Sequence, residues 1–308
     1  MIKITKENCS YYFDPKNKPV AYAKVGDTVV FETRDCFNDE IKTENDLSTN
    51  INMSHINPCT GPLYVENALP GSVLAVKILD IKLRDWGVLT LTPNEGVLNE
   101  FVKSPITKIV KINQEKNIIE YSQEIKLPLR PHIGTIGTTP LLRTPTGRTG
   151  VHGGNMDIRY VAPGNIVYFP VFIEGGMLML GDVHATMGDG EIAIGVETGA
   201  EVKIKILNIY NNYIIHSPII ETPTEWITYA DAPNGKEGVK EVSKRMAEFL
   251  CRKTDITLED ATLLISVIGD ISIAQWAEAG YNYTFYLRFP KSVFVNGKLN
   301  SFLNDEKK

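Results

Sequence analysis

The chain has 308 residues, 43% hydrophobic and 22% charged, with a net charge of -5. This composition supports a folded protein with a sizeable core and excludes a disordered one, while the acidic balance gives no basic field for a phosphate backbone, so nucleic acid is not an expected partner. No stretch reaches the roughly 18 apolar residues that cross a bilayer, the N-terminus lacks a signal peptide's apolar run, and Cys9, Cys36, Cys59 and Cys251 are scattered without a C-x-x-C pair; the expected setting is a reducing cytoplasm with free thiols and no membrane.

Short runs rich in Val, Ile, Leu, Tyr and Phe, bounded by Gly, Pro, Asn and Asp, predict strands at Thr28–Thr33, Ser72–Ile81, Lys108–Asn113, Ile118–Tyr121, Ile166–Phe172 and Val202–Ile209. Pro70-Gly71, Pro163-Gly164 and Gly199-Ala200 precede apolar runs as tight turns, and Lys111–Ile119 reads as a hairpin. The runs lie too close together for crossover helices, which favours a sandwich or barrel over an alternating βαβ sheet.

From about Glu221 the pattern changes. Val239, Val242, Met246, Phe249 and Leu250 recur at helical spacing within Gly238–Lys253. Thr257–Val267 predicts a second helix, with Thr257 as N-cap and Asp260 three residues on. Ser272–Ala279 is expected to form a third, shorter helix, Tyr281–Phe289 a strand, and Asn304–Lys308 a fraying tail. The expected organisation is mainly β: residues 1–220 as a β-rich body carrying the active site, and 221–308 as a smaller α+β segment packed on it.

Chemistry-bearing residues concentrate between His132 and Glu191, in a span rich in glycine. In a strand, residues two apart share a face, so Asp182 and His184 would point together, as would Asp189 and Glu191. Gly188 and Gly190 allow a turn that brings the second pair back towards the first. Asn155 and Asp157 have the same spacing beside His152 and the flexible Gly153-Gly154. These residue types suit a metal site with about three His and carboxylate ligands and an open position. Bland readings stand beside this one: Asp189 as a turn former, Asp182 as a turn cap, and His132 and His216 as structural histidines. Cys59 is the one thiol considered as a nucleophile, against its ordinary reading as a small buried residue.

Six segments, Asn57–Val65, Pro70-Gly71, His132–Pro140, His152–Asp157, Pro170–Gly176 and Gly181–Glu191, resemble the acetamidase/formamidase family in content and order, across roughly half the chain. The resemblance implies hydrolysis of a short amide such as formamide or acetamide to a carboxylate and ammonia. It also implies a jelly-roll or barrel-type β-sandwich body, a divalent metal (zinc, with calcium the alternative) and a homo-oligomer, dimer or tetramer. Carried onto this sequence, it points to His152, Asn155, Asp157, Asp182, His184, Asp189 and Glu191, joined by Asp35 in its Thr-Arg-Asp-Cys context. The expected division places Asp35, His152, Asp157, Asp182 and His184 at the metal, Glu191 as the proton carrier with Asp189 as its alternative, and Asn155 as an oxyanion donor. Cys59 and Met187 depart from the family's usual residues and leave the choice of amide open. Two rival readings are a non-catalytic β-sandwich binding protein holding structural calcium, and a hydrolase of a larger amide or a urea-like compound.

Overall fold

A computed structural model describes residues 1–93, 95–211, 213–276 and 282–302. Among them, a nine-stranded sheet runs in the order Ile2–Ile4, Thr28–Thr33, Ala200–Tyr210, Val73–Leu83, Ile166–Pro170, Ile219–Glu221, Glu225–Ala232, Tyr283–Pro290, Asp270–Gln275. A twelve-stranded sheet contains Trp86–Leu91, Ile106–Asn113, Ile118–Glu120, His132–Gly137, Gly153–Asn155, Leu178–His184 and Glu197–Thr198 in its main path, with Cys59–Val65 also paired to Leu178–His184. The mainly β sandwich expected from the sequence is the observed fold. Each of the six named strands forms, and the 111–119 hairpin appears as the antiparallel pair Ile106–Asn113 and Ile118–Glu120.

The two sheets share one apolar core. Val29, Phe31, Val76 and Val202 from the first meet Ile112, Ile133 and Leu180 from the second. The opposite face of the first sheet is covered by two helices, α1 (Gly235–Thr254) and α2 (Leu258–Ile268). Strand alternation makes this possible. Leu74, Val76 and Ile78 face the sandwich core, whereas Val73 and Ala75 join Val242, Met246, Phe249 and Leu250 of α1 on the other side. A sheet covered on both faces reads as a nearly continuous apolar run, as Val73–Ile78 does.

The caps of α1 and α2 follow their sequence. The Asn234 side chain accepts from the Glu237 N–H at 3.0 Å, and Thr257 accepts from the Asp260 N–H at 3.1 Å while its hydroxyl donates to the Asp260 carboxylate, the N-cap expected there, in a looser form of the capping box. α1 approaches the sheet closely at Gly238, where an added Cβ would overlap the buried ring of Phe285. Gly238→Ala gains about 1 kcal/mol of helix propensity, but overpacking a fixed core costs about 1–3 kcal/mol. Net destabilisation is therefore expected, and denaturant unfolding checks it.

The predicted helix at Ser272–Ala279 is corrected: Asp270–Gln275 is a strand, paired antiparallel with Tyr283–Pro290. Ile271 and Ile273 alternate at a strand's period, and the neighbouring strand satisfies the backbone along one edge. Residues 277–279 lie outside the described residues, as do Tyr281 of the last strand and the 304–308 tail. The nine-stranded sheet crosses residue 221 without interruption. No helix among the described residues is long and apolar enough to cross a membrane.

Candidate active site

Three adjacent strands of the larger sheet build the site. Leu178–His184 lies between His132–Gly137 and Glu197–Thr198, and the register sets His184 opposite both His132 and Glu197. One row across the sheet therefore carries His132, His184 and Glu197. His184 Nε2 lies 3.0 Å from Glu197 Oε1 and 3.5 Å from Asp182 Oδ1. Asp182 and His184, two apart in one strand, thus converge as their spacing predicts. Asp157 follows the Gly153–Asn155 strand; an oxygen of its carboxylate, one of Glu191 and a nitrogen of His184 all lie within 4.8 Å of one another, as do donor atoms of Cys36, Asp182 and Glu197.

Gly134 makes room for this cluster. A Cβ there would stand 2.5 Å from Asp157 Oδ1 and 2.6 Å from Asp182 Oδ2. Three of the four carboxylates sit on left-handed backbone, with φ of 50° at Asp157, 55° at Asp182 and 33° at Glu191. Such conformations cost non-glycine residues on the order of 1–3 kcal/mol each and concentrate at functional sites. Thr135 Oγ1 ties the floor together, donating to Asn155 Oδ1 at 2.6 Å and lying 3.2 Å from Asp182 Oδ2.

The cluster opens into a cavity of about 420 Å³. Asn155, Asp182, His184, Glu191, Glu197 and Cys36 line its polar end, Phe37, Ile56, Leu91 and Ile194 supply an apolar wall, and Gln275 reaches in from the C-terminal segment. Gln275 is placed by a parallel bridge between Gly190 and its own strand end: the Gly190 N–H donates to the Ala274 carbonyl, and the Trp276 N–H donates to the Gly190 carbonyl.

Burial sets the electrostatics. It pushes the Asp157 carboxyl well above the usual range, helped by Glu191 and Asp182, pushes Glu191 up to about 8, helped by Glu197 and Asp182, and pushes Glu197 up to about 7, helped by Asp182. Asp182 is also opposed by burial, but His184 holds it below its usual value. His184 itself is raised, because Glu197 and Asp182 outweigh burial. His132 is pushed down to about 3 by burial and then by His184, so it is neutral. Burial, followed by Glu197 and Asp182, drives the Cys36 thiol well up.

Four acidic groups thus crowd around one imidazole. Among the described residues, both Asp157 oxygens and Glu197 Oε2 are buried with no donor bonded to them, and Asp157 faces the Glu191 carboxyl. Orphaned carboxylate oxygens cost free energy unless a cation balances them. The donor set of imidazole nitrogen, carboxylate oxygen and one sulfur suits a zinc-type ion better than calcium, which prefers oxygen alone. The residues fit a divalent metal.

Three residues expected at the metal or beside it lie elsewhere. Asp35 is fully buried but accepts from Arg84 Nη2 at 2.7 Å and from the Asp39 and Phe37 N–H groups at 2.8 and 3.1 Å. It closes the turn that sets Cys36 and Phe37 at the cavity wall. His152 packs edge-on against Phe13, ring centroids 4.9 Å apart, and lines no part of the cavity; burial pushes it down to about 4. Asp189 accepts from the Tyr286 hydroxyl at 2.6 Å and pairs with Arg159 at 2.9 Å, so the turn separates it from Glu191. Cys59 is buried with Phe13 and Met179, and burial raises its thiol well above the usual value, against a nucleophilic role. Glu197, Gly134 and Gln275 escaped the sequence reading. The Val196-Glu197-Thr198-Gly199 run, a short strand signal directly after the glycine-rich span, was the clue to the first.

The sequence profile of the Acetamidase/Formamidase family matches residues 3–146 and 141–251. The chain belongs to the acetamidase/formamidase family. Its reaction class is accordingly amide hydrolysis. An acetamidase structure from Bacillus halodurans shares 39% identity over 96% of this chain and 99% of its own, with a TM-score of 0.91. A second structure, of a predicted acetamidase/formamidase from Thermoanaerobacter tengcongensis, shares 33% over 97% and 98%, with a TM-score of 0.92. A formamidase of Methylophilus methylotrophus is 26% identical over 69% of this chain and 67% of its own length. Family membership removes the non-catalytic binding-protein reading.

Proposed function

We propose that this acetamidase/formamidase homologue hydrolyses short aliphatic amides of the formamide and acetamide type with a divalent metal, zinc in preference to calcium, held by Asp182, His184 and Glu197 with Asp157 beneath them. The observation that carries the reading is the convergence of Glu197 and Asp182 oxygens on His184 Nε2 beside the orphaned Asp157 carboxylate. When bound, such an ion supplies Lewis acidity and lowers the pKa of water from about 15.7 towards about 7.

The chain's own residues do the rest. Glu191, partly exposed on the cavity wall, accepts a proton from water as its oxygen bonds to the amide carbon, and returns that proton to the nitrogen as the C–N bond breaks. Asn155 Oδ1 is occupied by Thr135 and, at 3.4 Å, by Asn57, which leaves its amide –NH₂ to donate to the developing oxyanion. The apolar wall takes the acyl substituent and excludes water from it. The products are a carboxylate and ammonia.

A second reading, a hydrolase of a larger amide, is favoured by one observation. Cavities of about 300–1,000 Å³ accommodate drug-sized ligands, and this one, at about 420 Å³, exceeds what acetamide fills. Ammonia release from formamide, acetamide, propionamide, urea and aryl amides separates the two readings. We expect activity on the short amides, loss after chelation, and recovery with zinc. Full activity after the metal is stripped and shown to be absent would end the metal reading. Cytoplasmic placement belongs to the same proposal, supported by the four free cysteines, as do assembly into a dimer or tetramer and the division into a 1–220 body and a 221–308 segment.

A further inference from the structure

We propose that His132 is a positioning residue: it fixes a proton on His184 Nδ1 and so keeps His184 Nε2 as the donor atom facing Asp182 and Glu197. The role rests on the cation reading above; the ring assignment does not.

The argument starts from a group whose part in a hydrogen bond admits no choice. The Arg130 carbonyl oxygen only accepts, and it lies 3.0 Å from His132 Nδ1, so Nδ1 must carry the proton. The backbone is anchored at the same residue, where the Arg130 N–H donates to the Ala185 carbonyl at 2.9 Å. His132 is fully buried and, among the described residues, pairs with no carboxylate, the acids lying on the far nitrogen of His184. A buried imidazole without an acid partner stays neutral with one ring proton, which leaves His132 Nε2 with a bare lone pair. That lone pair faces His184 Nδ1 at 3.1 Å. Two lone pairs would repel at this distance, so His184 Nδ1 carries a proton whether His184 is neutral or charged. In neutral His184, Nε2 is then the unprotonated atom, and it is the atom the carboxylates surround.

Two further features make the arrangement rigid. His132 and His184 are directly opposed in the strand register, so the sheet itself sets their separation. Gly195 packs against the His184 ring, where an added Cβ would come within 2.8 Å of Cγ and 3.1 Å of Nδ1. Histidine ligands generally donate their second nitrogen to a carbonyl, carboxylate or water, and losing that partner costs roughly 10–100-fold in metal affinity. Here a second imidazole stands between ligand and carbonyl.

Nitrogen-15 NMR of the five histidines in the metal-free protein tests the assignment, with His132→Gln and His184→Gln spectra identifying the two rings. The expected result is a proton on His132 Nδ1, none on His132 Nε2, and one on His184 Nδ1. A protonated His132 Nε2 would overturn the proposal. Zinc titration then tests the role. His132→Phe, which removes the acceptor, should bind zinc about 10–100-fold more weakly, whereas His132→Gln, whose amide oxygen accepts in place of Nε2, should stay within about threefold. Equal zinc affinity in folded His132→Phe and wild type would overturn the positioning role. A wild-type protein that takes up no zinc would overturn the cation reading instead, and the spectrum would still decide the ring assignment. Should His132→Phe fail to fold, the wild-type spectrum and a tenfold loss in His132→Gln each remain able to refute the proposal.

Discussion

Glu197→Gln is expected to lower amide turnover on the order of a thousandfold while the fold survives. The substitution keeps the shape of the side chain but removes the oxygen charge 3.0 Å from His184 Nε2. Charge stabilisation at such a centre is worth several kcal/mol, and each 1.36 kcal/mol is about tenfold in rate. Steady-state kinetics with metal in excess gives the number; a loss below about tenfold would remove Glu197 from the site. Stability should move the other way. In the metal-free chain burial, then Asp182, lifts Glu197 from 4.5 to about 7. A carboxyl raised on folding contributes fully below its unfolded value, and stability is lost as the pH climbs from 4.5 through about 7. The glutamine variant lacks that loss. Its metal-free melting temperature should match wild type near the lower end of the window and exceed it above the upper end, which a pH series of thermal scans reads directly.

Gly134→Ala is the second large effect. The added methyl would stand 2.5 Å from Asp157 Oδ1 and 2.6 Å from Asp182 Oδ2, closer than real Cβ contacts come, so both carboxylates must shift. The packed core behind them leaves no room, and the open side is the cavity that Asp182 lines. Misplacing reacting or ligating groups by about 1 Å costs roughly a hundredfold, so turnover should fall by at least that much. Overpacking itself should cost only about 1–3 kcal/mol of stability. The diagnostic result is a folded protein with weakened metal uptake and little activity. Wild-type kinetics in a folded Gly134→Ala would mean that the carboxylates move freely, and the cradle would then have no functional meaning.

Local pattern carried most of the architecture. Alternation marked the strands, apolar spacing marked the helix read at Gly238–Lys253 and Thr257 the start of the next, and Asp182 and His184 could be paired because they lie two apart in one strand. The site's remaining geometry is non-local. Glu197 meets His184 only because Glu197–Thr198 pairs with Leu178–His184 in one register, and a shift of one residue would turn it away. His152 and Asp35 carried suitable chemistry, but Phe13 and Arg84, distant in the chain, claimed them. Asp189 shows the limit of the two-residue rule, since left-handed backbone at Gly190 and Glu191 breaks the strand on which that rule depends. Asp270–Gln275 went wrong for a related reason: a short run takes its conformation from whichever edge is waiting for it.

The bridge from Gly190 to the Ala274–Trp276 backbone has a consequence for anyone dissecting the enzyme. The loop that presents Glu191 is fastened by a strand encoded more than eighty residues later, so cutting the gene near codon 221 would not yield a minimal catalyst. It would yield a sandwich whose nine-stranded sheet lacks its last three strands, with an apolar flank bared where α1 had been. Two halves expressed apart should regain activity only when mixed, and the complementing half must include Gln275.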